Sequence, residues 1–396
     1  MTTHWRGTLT PDDRAANTWH YVPFEIAFGV GAFTITLEYD RSGGAIIDLG
    51  CEGPQGFRGW SGGARNTFTI TDHDATPGYL PGVAPGGWQV VLGLHRVPPG
   101  GVDVSVSLSL GSRHAQPFAT HALVAERPPR PDLPSIDGLD WLAGDFHCHT
   151  VHSDGQHLID EVAGMAAEAG LDFLAVTDHN TISHHPFLPA ASERSGVQLI
   201  PGQEVTTWRG HANAFGDIGW VDFREPADSW IRSTTARGGL LSLNHPVSGD
   251  CSWRQPLTER PDLVETWHSS WTDRTSGAPM AFLFAGFPGV TPIGGADFHG
   301  RGADALPGYP TSWVLAADGD ILGGLRAGRT SITSGPGGPL LLRMGAEFLV
   351  IGGDGLLLAT PDGYRTPIHG ERVTLPARPG LAWLEDERTG VQAISS

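Results

Sequence analysis

The chain has 396 residues and a formal net charge of −18 at pH 7, which argues against a nucleic-acid backbone or an anionic membrane as a main partner, since both require clustered cations. All 25 basic residues are arginine, so a P-loop lysine and a Schiff-base lysine are both excluded. The three cysteines include no CxxC pair, which indicates neither a disulfide framework nor a thiolate zinc site. No apolar signal segment opens the sequence, so we expect a soluble, cytoplasmic protein.

The first third of the chain has the pattern of a β domain. Short alternating or apolar runs, such as residues 33–39, 88–94 and 102–108, are separated by turns rich in Gly and Pro. This spacing predicts a β-sandwich-like domain over residues 1–130. A Pro-rich stretch then indicates a linker at 131–140.

Residues 141–336 have the pattern of an α/β domain, in which apolar strands alternate with helical segments. Six of these strands end at a His, Asp or Glu. In α/β barrels the active site forms at the carboxyl ends of the strands, so we expect these side chains to converge. The remaining residues, 337–396, return to short β-like runs and predict a C-terminal β segment.

The first of these strands leads into the sequence DFHCHTVHSDG at residues 145–155. If the strand continues, His147 and His149 project from the same face, because strand side chains alternate. Asp154 follows after one short loop and can add a hard oxygen donor. This stretch therefore predicts a metal site.

Five motifs, HxHTxxSDG, TDHN, GQE, NHP and DFH, occur in this order between residues 147 and 299. In this order they resemble the polymerase-and-histidinol-phosphatase (PHP) superfamily of metal-dependent hydrolases. Residues 74–93 and 210–216 resemble its CehA/McbA-like branch, which joins a β domain to the PHP domain. The resemblance implies a distorted (β/α)7 PHP barrel, two or three divalent metal ions and phosphoesterase activity.

The resemblance also implies a set of metal ligands by motif position. One ion would be held by His147, His149, Glu204 and Asp297, and a second by Asp154, His179 and His299. Glu204 would bridge to a third ion held by His211 and His245. Some members of the family carry His in place of Asp154, so the metal, whether zinc, manganese or iron, stays open.

Three candidate catalytic residues lie outside this ligand set. His268 ends an apolar strand, and three roles are open to it: metal ligand, general acid to the leaving group, or hydrogen-bonding residue at the barrel mouth. Arg209 and Arg301 each lie two residues from a proposed ligand, where they can bind a phosphoryl or carboxylate oxygen or form a surface salt bridge. Asp178 directly precedes His179, and we expect it to orient a ligand.

Imidazole and carboxylate form a borderline donor set that suits zinc, manganese or iron. Ions about 3.5 to 4 Å apart would share a bridging hydroxide and stabilise a leaving oxygen. We therefore expect a phosphoesterase that hydrolyses a phosphate mono- or diester of a small molecule with a metal-bridged hydroxide. The alternative is a carbamate or carboxylic ester hydrolase on the same metals. A non-catalytic binding module formed by the β domain is the third hypothesis, and a homo-oligomer stays open.

Overall fold

The computed structural model describes residues 2–111, 126–249, 251–271, 277–300 and 306–396. The chain divides into two compact units. The first contains residues 1–120 together with two short segments, 150–155 and 178–186, and the second contains the rest. Arg301 lies outside the described residues.

The first unit contains two four-stranded antiparallel sheets, with strand orders β1-β8-β3-β6 and β2-β7-β4-β5. The elements are β1 (Thr2–Leu9), α1 (Pro11–Ala16), β2 (Trp19–Ile26), β3 (Ala32–Tyr39), β4 (Ile46–Gly53), β5 (Gly56–Gly62), β6 (Thr67–Thr71), β7 (Gly86–Arg96) and β8 (Val102–Leu110). The alternation of apolar and polar residues that predicts β8 matches the burial of its side chains. Val102, Val104 and Val106 are buried, while the residues between them are not.

Both sheets contribute to one apolar core, as the predicted β-sandwich requires. Phe33 of β3 and Trp88 of β7 are buried, and their ring centroids lie 4.9 Å apart in an edge-to-face arrangement. Such aromatic pairs stabilise a core beyond their buried area. The sequence did not single out β1, β2 or β5 as strands.

The second unit begins with alternating strands and helices. Its elements are β9 (Asp140–Asp145), α2 (Ile159–Glu168), β10 (Phe173–Val176), α3 (Leu188–Ser195), β11 (Gln198–Thr207), β12 (Gly210–Phe215), α4 (Ala227–Ala236), β13 (Leu240–Asn244), β14 (Leu263–His268), α5 (Ala278–Gly286), β15 (Thr291–Gly295), β16 (Thr311–Ala316), α6 (Ile321–Arg326) and β17 (Thr330–Thr333). Helix α2 ends just before Gly170, whose φ of +79° lies in the left-handed region.

Strands β9 to β15 are neighbours in one sheet, and most of their pairings are parallel. Strand β12 is the exception, because it is antiparallel to both β11 and β13. The two ends of this row meet just beyond β9 and β15. There the His149 N–H donates to the Phe298 carbonyl at 2.9 Å, and Cys148 and Phe298 form a parallel β-bridge. The residues that follow β9 and β15 therefore lie side by side.

The C-terminal residues form further strands. These are β18 (Leu340–Met344), β19 (Glu347–Ile351), β20 (Leu357–Ala359), β21 (Arg365–Pro367), β22 (Arg372–Pro376), β23 (Ala382–Glu385) and β24 (Val391–Ser395). Strands β18, β19 and β22 form a separate three-stranded sheet, whereas β24, which pairs with β17, continues the sheet of the second unit together with β23, β20 and β21. Among the described residues, no helix has the length and apolarity needed to cross a membrane.

Candidate metal centre

Two imidazoles and two carboxylates converge where the ends of the sheet meet. His147 and His149 are fully buried, and their Nε2 atoms lie 3.1 Å apart. Asp297 Oδ1 lies 3.1 Å from His147 Nε2 and 2.9 Å from His149 Nε2. Glu204 Oε1 lies 3.2 Å from His147 Nε2. The four residues that the family resemblance assigns to one ion thus point their donor atoms at one another.

Glu265, which the sequence reasoning missed, determines which nitrogen of His147 is available. Its Oε2 accepts the His245 N–H at 2.6 Å, and its Oε1 lies 3.0 Å from His147 Nδ1. A carboxylate can only accept, so Nδ1 carries the proton and the Nε2 lone pair is directed at the other donors. A carboxylate behind a metal-binding imidazole is a recurrent feature of metal sites.

Glu204 connects this cluster to a second pair of imidazoles. His211 Nδ1 lies 3.2 Å and His245 Nε2 lies 3.3 Å from Glu204 Oε1. The Asn244 amide also donates to Oε1, at 2.9 Å. Glu204 lies inside β11, whereas the sequence placed it beyond the end of a strand. The pairing of β11 with β12 explains why Glu204 lies close to His211. Thr206 is opposite His211, and residues 204 and 206 share a face of the strand.

His268 is the last residue of β14 and is almost fully buried. Its Nδ1 accepts the Ser270 N–H at 3.2 Å, and its Nε2 lies 3.2 Å from Asp297 Oδ2. The neutral ring that accepts at Nδ1 carries its proton at Nε2 and donates it to Asp297. The structure therefore brings His268 into the cluster, where the Asp297 carboxylate lies between it and His147.

His299 is oriented by the backbone. Its Nδ1 donates to the Asp297 carbonyl at 2.8 Å, which leaves the Nε2 lone pair as the available donor. Its ring also stacks with that of His149, with centroids 4.2 Å apart. Asp297 has a φ of +53°, an uncommon left-handed conformation that places its carbonyl and carboxylate in these positions.

The charges of this cluster fit a cation. Burial alone would raise the pKa of the Asp297 carboxyl, but His147 and the hydrogen bonds from His149 and His268 hold that pKa well below its usual range. Burial likewise opposes the charged form of His147, yet the carboxylates of Asp297, Glu204 and Glu265 raise its pKa well above the usual range. Buried carboxylates therefore require positive charge here, which a divalent ion supplies better than protons do.

Asp154 and His179 lie in the first unit, on its two short segments. His179 Nε2 lies 3.5 Å from Asp154 Oδ1, and both side chains are partly exposed. Asp178 has a different role, because its carboxylate accepts the Thr150 N–H at 2.9 Å and the Ser153 hydroxyl at 2.6 Å. Asp178 thus holds the loop that bears Asp154, and Ser153 is a turn residue.

Arg209 lies in the tight turn between β11 and β12. Its guanidinium lies 5.7 Å from the Trp208 ring and donates to the Arg254 carbonyl at 3.3 Å. The guanidinium of Arg254 lies on the same ring, at 5.8 Å. Of the three predicted catalytic residues, His268 is thus in the cluster, Arg209 is on this surface turn, and Arg301 lies outside the described residues.

Comparison with known proteins connects this geometry to a family. Residues 145–256 match the PHP domain. The chain is 37% identical over 67 residues to a 5'-3' exoribonuclease of Haemophilus influenzae, a match covering 17% of this chain and 24% of that protein. It is 26% identical over 260 residues to a 3',5'-nucleoside bisphosphate phosphatase of Chromobacterium violaceum, covering 60% of this chain and 85% of that protein.

A solved structure from Bacteroides vulgatus, a two-domain protein containing a predicted PHP-like metal-dependent phosphoesterase, is similar over 69% of this chain and 91% of its own, with 17% identity and a TM-score of 0.42. The chain spans about a quarter of the length of the exoribonuclease named above. The similarity of residues 145–256 to the PHP domain and the similarity to the phosphatase support the assignment of the chain as a hydrolase enzyme.

Proposed function

We propose that the protein is a metal-dependent phosphoesterase that hydrolyses a phosphate mono- or diester of a small molecule. The observation that carries the proposal is the convergence of His147 Nε2, His149 Nε2 and Asp297 Oδ1 within 3.1 Å of one another. Buried imidazole and carboxylate donors at such distances are typical of a site for divalent ions. The phosphatase named among the relatives supports phosphate esters as the substrate class.

The donor atoms suffice for more than one ion. We propose that His147, His149, Glu204 and Asp297 hold the first ion and that His211 and His245 share Glu204 with another. The order of the family motifs supports Asp154, His179 and His299 as ligands of a further ion. The same motif order supports a distorted (β/α)7 barrel, and residues 74–93 and 210–216 support the CehA/McbA-like branch. When bound, divalent ions activate water and stabilise the charge of phosphoryl oxygens.

The protein's own groups then position the ligands and supply a hydrogen-bond donor. Glu265 fixes the tautomer of His147, as its two hydrogen bonds require. His268 holds a proton at Nε2 beside Asp297 Oδ2, with Ser270 fixing the other nitrogen. We propose that this N–H donates a hydrogen bond to the leaving oxygen and stabilises its developing negative charge, a contribution worth about 10²- to 10³-fold in rate for one such donor.

The runner-up is hydrolysis of a carbamate or carboxylic ester at the same centre, and the position of Arg209 favours it. A phosphoryl transition state spreads negative charge over several oxygens, so it gains from a forked cation. The Arg209 guanidinium instead lies over the Trp208 ring and donates a hydrogen bond to the Arg254 carbonyl. A neutral ester has no need of such a cation.

The deciding experiment compares substrates on full-length protein of measured metal content. We expect turnover of p-nitrophenyl phosphate or bis-p-nitrophenyl phosphate and much slower turnover of p-nitrophenyl acetate. The Asp297→Asn variant should lose the activity. Asp228→Asn should keep it, because Asp228 is a partly exposed acid whose carboxylate accepts hydrogen bonds from the Thr258 N–H and hydroxyl. Turnover of the acetate with none of either phosphoester would refute the phosphoesterase and favour the runner-up.

A further inference from the structure

The two short segments that belong to the first unit carry proposed metal ligands. Residues 150–155 include Asp154, and residues 178–186 begin with Asp178 and His179. Both segments interrupt the second unit in sequence, yet their contacts group them with the β domain. The residues of the β domain that hold them therefore bear on the geometry of the ligands.

Arg65, which lies between β5 and β6, holds the first segment. Its Nη1 donates to the Ser153 carbonyl at 3.0 Å, and its Nη2 donates to the Val151 carbonyl. The guanidinium is half-buried, and burial lowers its pKa while the charges of Tyr79, Asp178 and Asp154 raise it. Charge-assisted hydrogen bonds from a planar fork fix two acceptors at once. Arg65 thus holds the backbone on both sides of His152, directly before Asp154.

The turn at Gly78 holds both segments. The Gly78 N–H donates to Ser183 Oγ at 3.0 Å, and the Thr181 hydroxyl donates to the Gly78 carbonyl at 2.8 Å. Ser183 Oγ also lies 2.8 Å from His152 Nδ1. A Cβ on Gly78 would lie 2.8 Å from the His152 carbonyl, and its φ of +97° also excludes most side chains. The close approach therefore requires glycine at this position.

The two segments are also bonded to each other, so the whole forms one frame. Thr150 donates to Asp178 through both its N–H, at 2.9 Å, and its hydroxyl, at 2.7 Å. Asp154 and His179 extend from this frame with their side chains 3.5 Å apart. Any displacement of one segment relative to the other would change that separation, which a shared ion tolerates only within a few tenths of an ångström.

We propose that the β domain positions two metal ligands, because Arg65 and the turn at Gly78 hold the segments from which Asp154 and His179 bind an ion. Arg65 is a positioning residue, because its donors contact backbone carbonyls. The inference rests on the proposed function only in taking Asp154 and His179 as metal ligands. It assigns a role to the β domain that does not depend on the substrate.

Arg58 provides a matched control. It lies on β5, the strand that precedes Arg65, and burial lowers its pKa as it does that of Arg65. Its Nη2 donates to three carbonyls, those of Leu80, Pro81 and Gly82. These acceptors lie in the β domain itself, so Arg58→Ala removes the same kind of bond without touching the ligand segments.

The test measures Mn²⁺ binding to metal-free, full-length protein by calorimetry and by competition with a chelator, without substrate. Asp154→Asn first identifies the binding step that depends on this carboxylate. We expect Arg65→Ala to weaken that same step about 10- to 100-fold, the range for residues that orient metal ligands. Arg58→Ala should leave it within about twofold. Arg65→Lys should recover part of the affinity, because an ammonium can replace one of the two donors.

Ser183→Ala is the second variant, since it deletes the hydroxyl between Gly78 and His152 and is a small change if Arg65→Ala does not fold. It should weaken the same step. The inference is overturned if Arg65→Ala and Ser183→Ala bind like Arg58→Ala, or if Asp154→Asn changes no step. A protein that shows the expected binding but hydrolyses no phosphoester would refute the proposed function and leave this inference standing.

Discussion

Replacing Glu265 by Gln tests whether a residue that contacts no proposed substrate controls the metal site. The change is nearly isosteric, but one of the two carboxylate oxygens becomes an NH₂ group. Both oxygens are used, since Oε2 accepts the His245 N–H at 2.6 Å and Oε1 accepts from His147 Nδ1 at 3.0 Å. The new NH₂ must therefore face one of two donors.

Either orientation weakens metal binding. If the NH₂ faces His147, Nδ1 has to accept, and the ring proton moves to Nε2, where it blocks the metal-binding lone pair. If the NH₂ faces His245, two buried donors oppose each other. Losing one buried hydrogen bond to a charged group costs about 1 to 3 kcal/mol. At about 1.4 kcal/mol per tenfold change, we expect metal affinity to fall about 5- to 150-fold.

The assay is a titration of Mn²⁺ or Zn²⁺ into metal-free Glu265→Gln protein, with metal content checked by elemental analysis. Glu385→Gln is the control, because Glu385 is also a buried strand glutamate of the second unit, where it contacts Arg365 and Trp383 away from the cluster. A Glu265→Gln variant that binds metal as tightly as the unmodified protein, with an unchanged thermal unfolding curve, would refute the proposed orientation of His147.

Three further predictions concern the ions, the pH dependence and the arginines. The protein should purify with at least two divalent ions per chain, and His147→Ala or Asp297→Asn should lower that content; one ion or none in folded, metal-supplemented protein would contradict this. The surroundings of His147 and His245 raise the pKa values of both rings, so metal binding should displace protons, affinity should rise with pH, and activity should fall through about pH 6. Calorimetry in buffers of different ionisation enthalpy measures the release, and a heat independent of buffer would argue against it. Arg301→Ala should lower kcat/KM on a phosphoester about 10- to 1,000-fold with metal content intact, whereas Arg209→Ala should change it little because its guanidinium contacts Trp208 and the Arg254 carbonyl; unaltered kinetics of Arg301→Ala would remove the proposed arginine role.

The local pattern of the sequence was sufficient for many of the elements and for most of the candidate ligands. Alternation with a period of two predicts β8, and helical spacing with Gly170 as the stop predicts α2 within a residue or so of its bounds. Apolar strands that end in His, Asp or Glu indicated which side chains meet. These signals are local because backbone geometry sets the side-chain period and terminates the elements.

Two features of the site depended on register and on partners distant in sequence. The sequence placed Glu204 beyond a strand, but β11 continues through it and pairs with β12, which turns His211 onto the same face. Glu265 lies 118 residues from His147, so only closure of the sheet brings them together. The sequence did contain an indication of Glu265, because it is a charged residue within the apolar run of β14. A buried carboxylate is costly without partners, so such a residue is expected to have some.

The position of the loops was decided by tertiary structure as well. The sequence predicted a boundary near residue 130, and nothing in the composition of residues 150–155 or 178–186 indicates that they group with the β domain. That grouping depends on side chains such as Arg65, which reaches carbonyls 86 and 88 residues away. Composition and periodicity determine which elements form and which donors are available. The distances between those donors are set by long-range packing, which no local pattern of residues encodes.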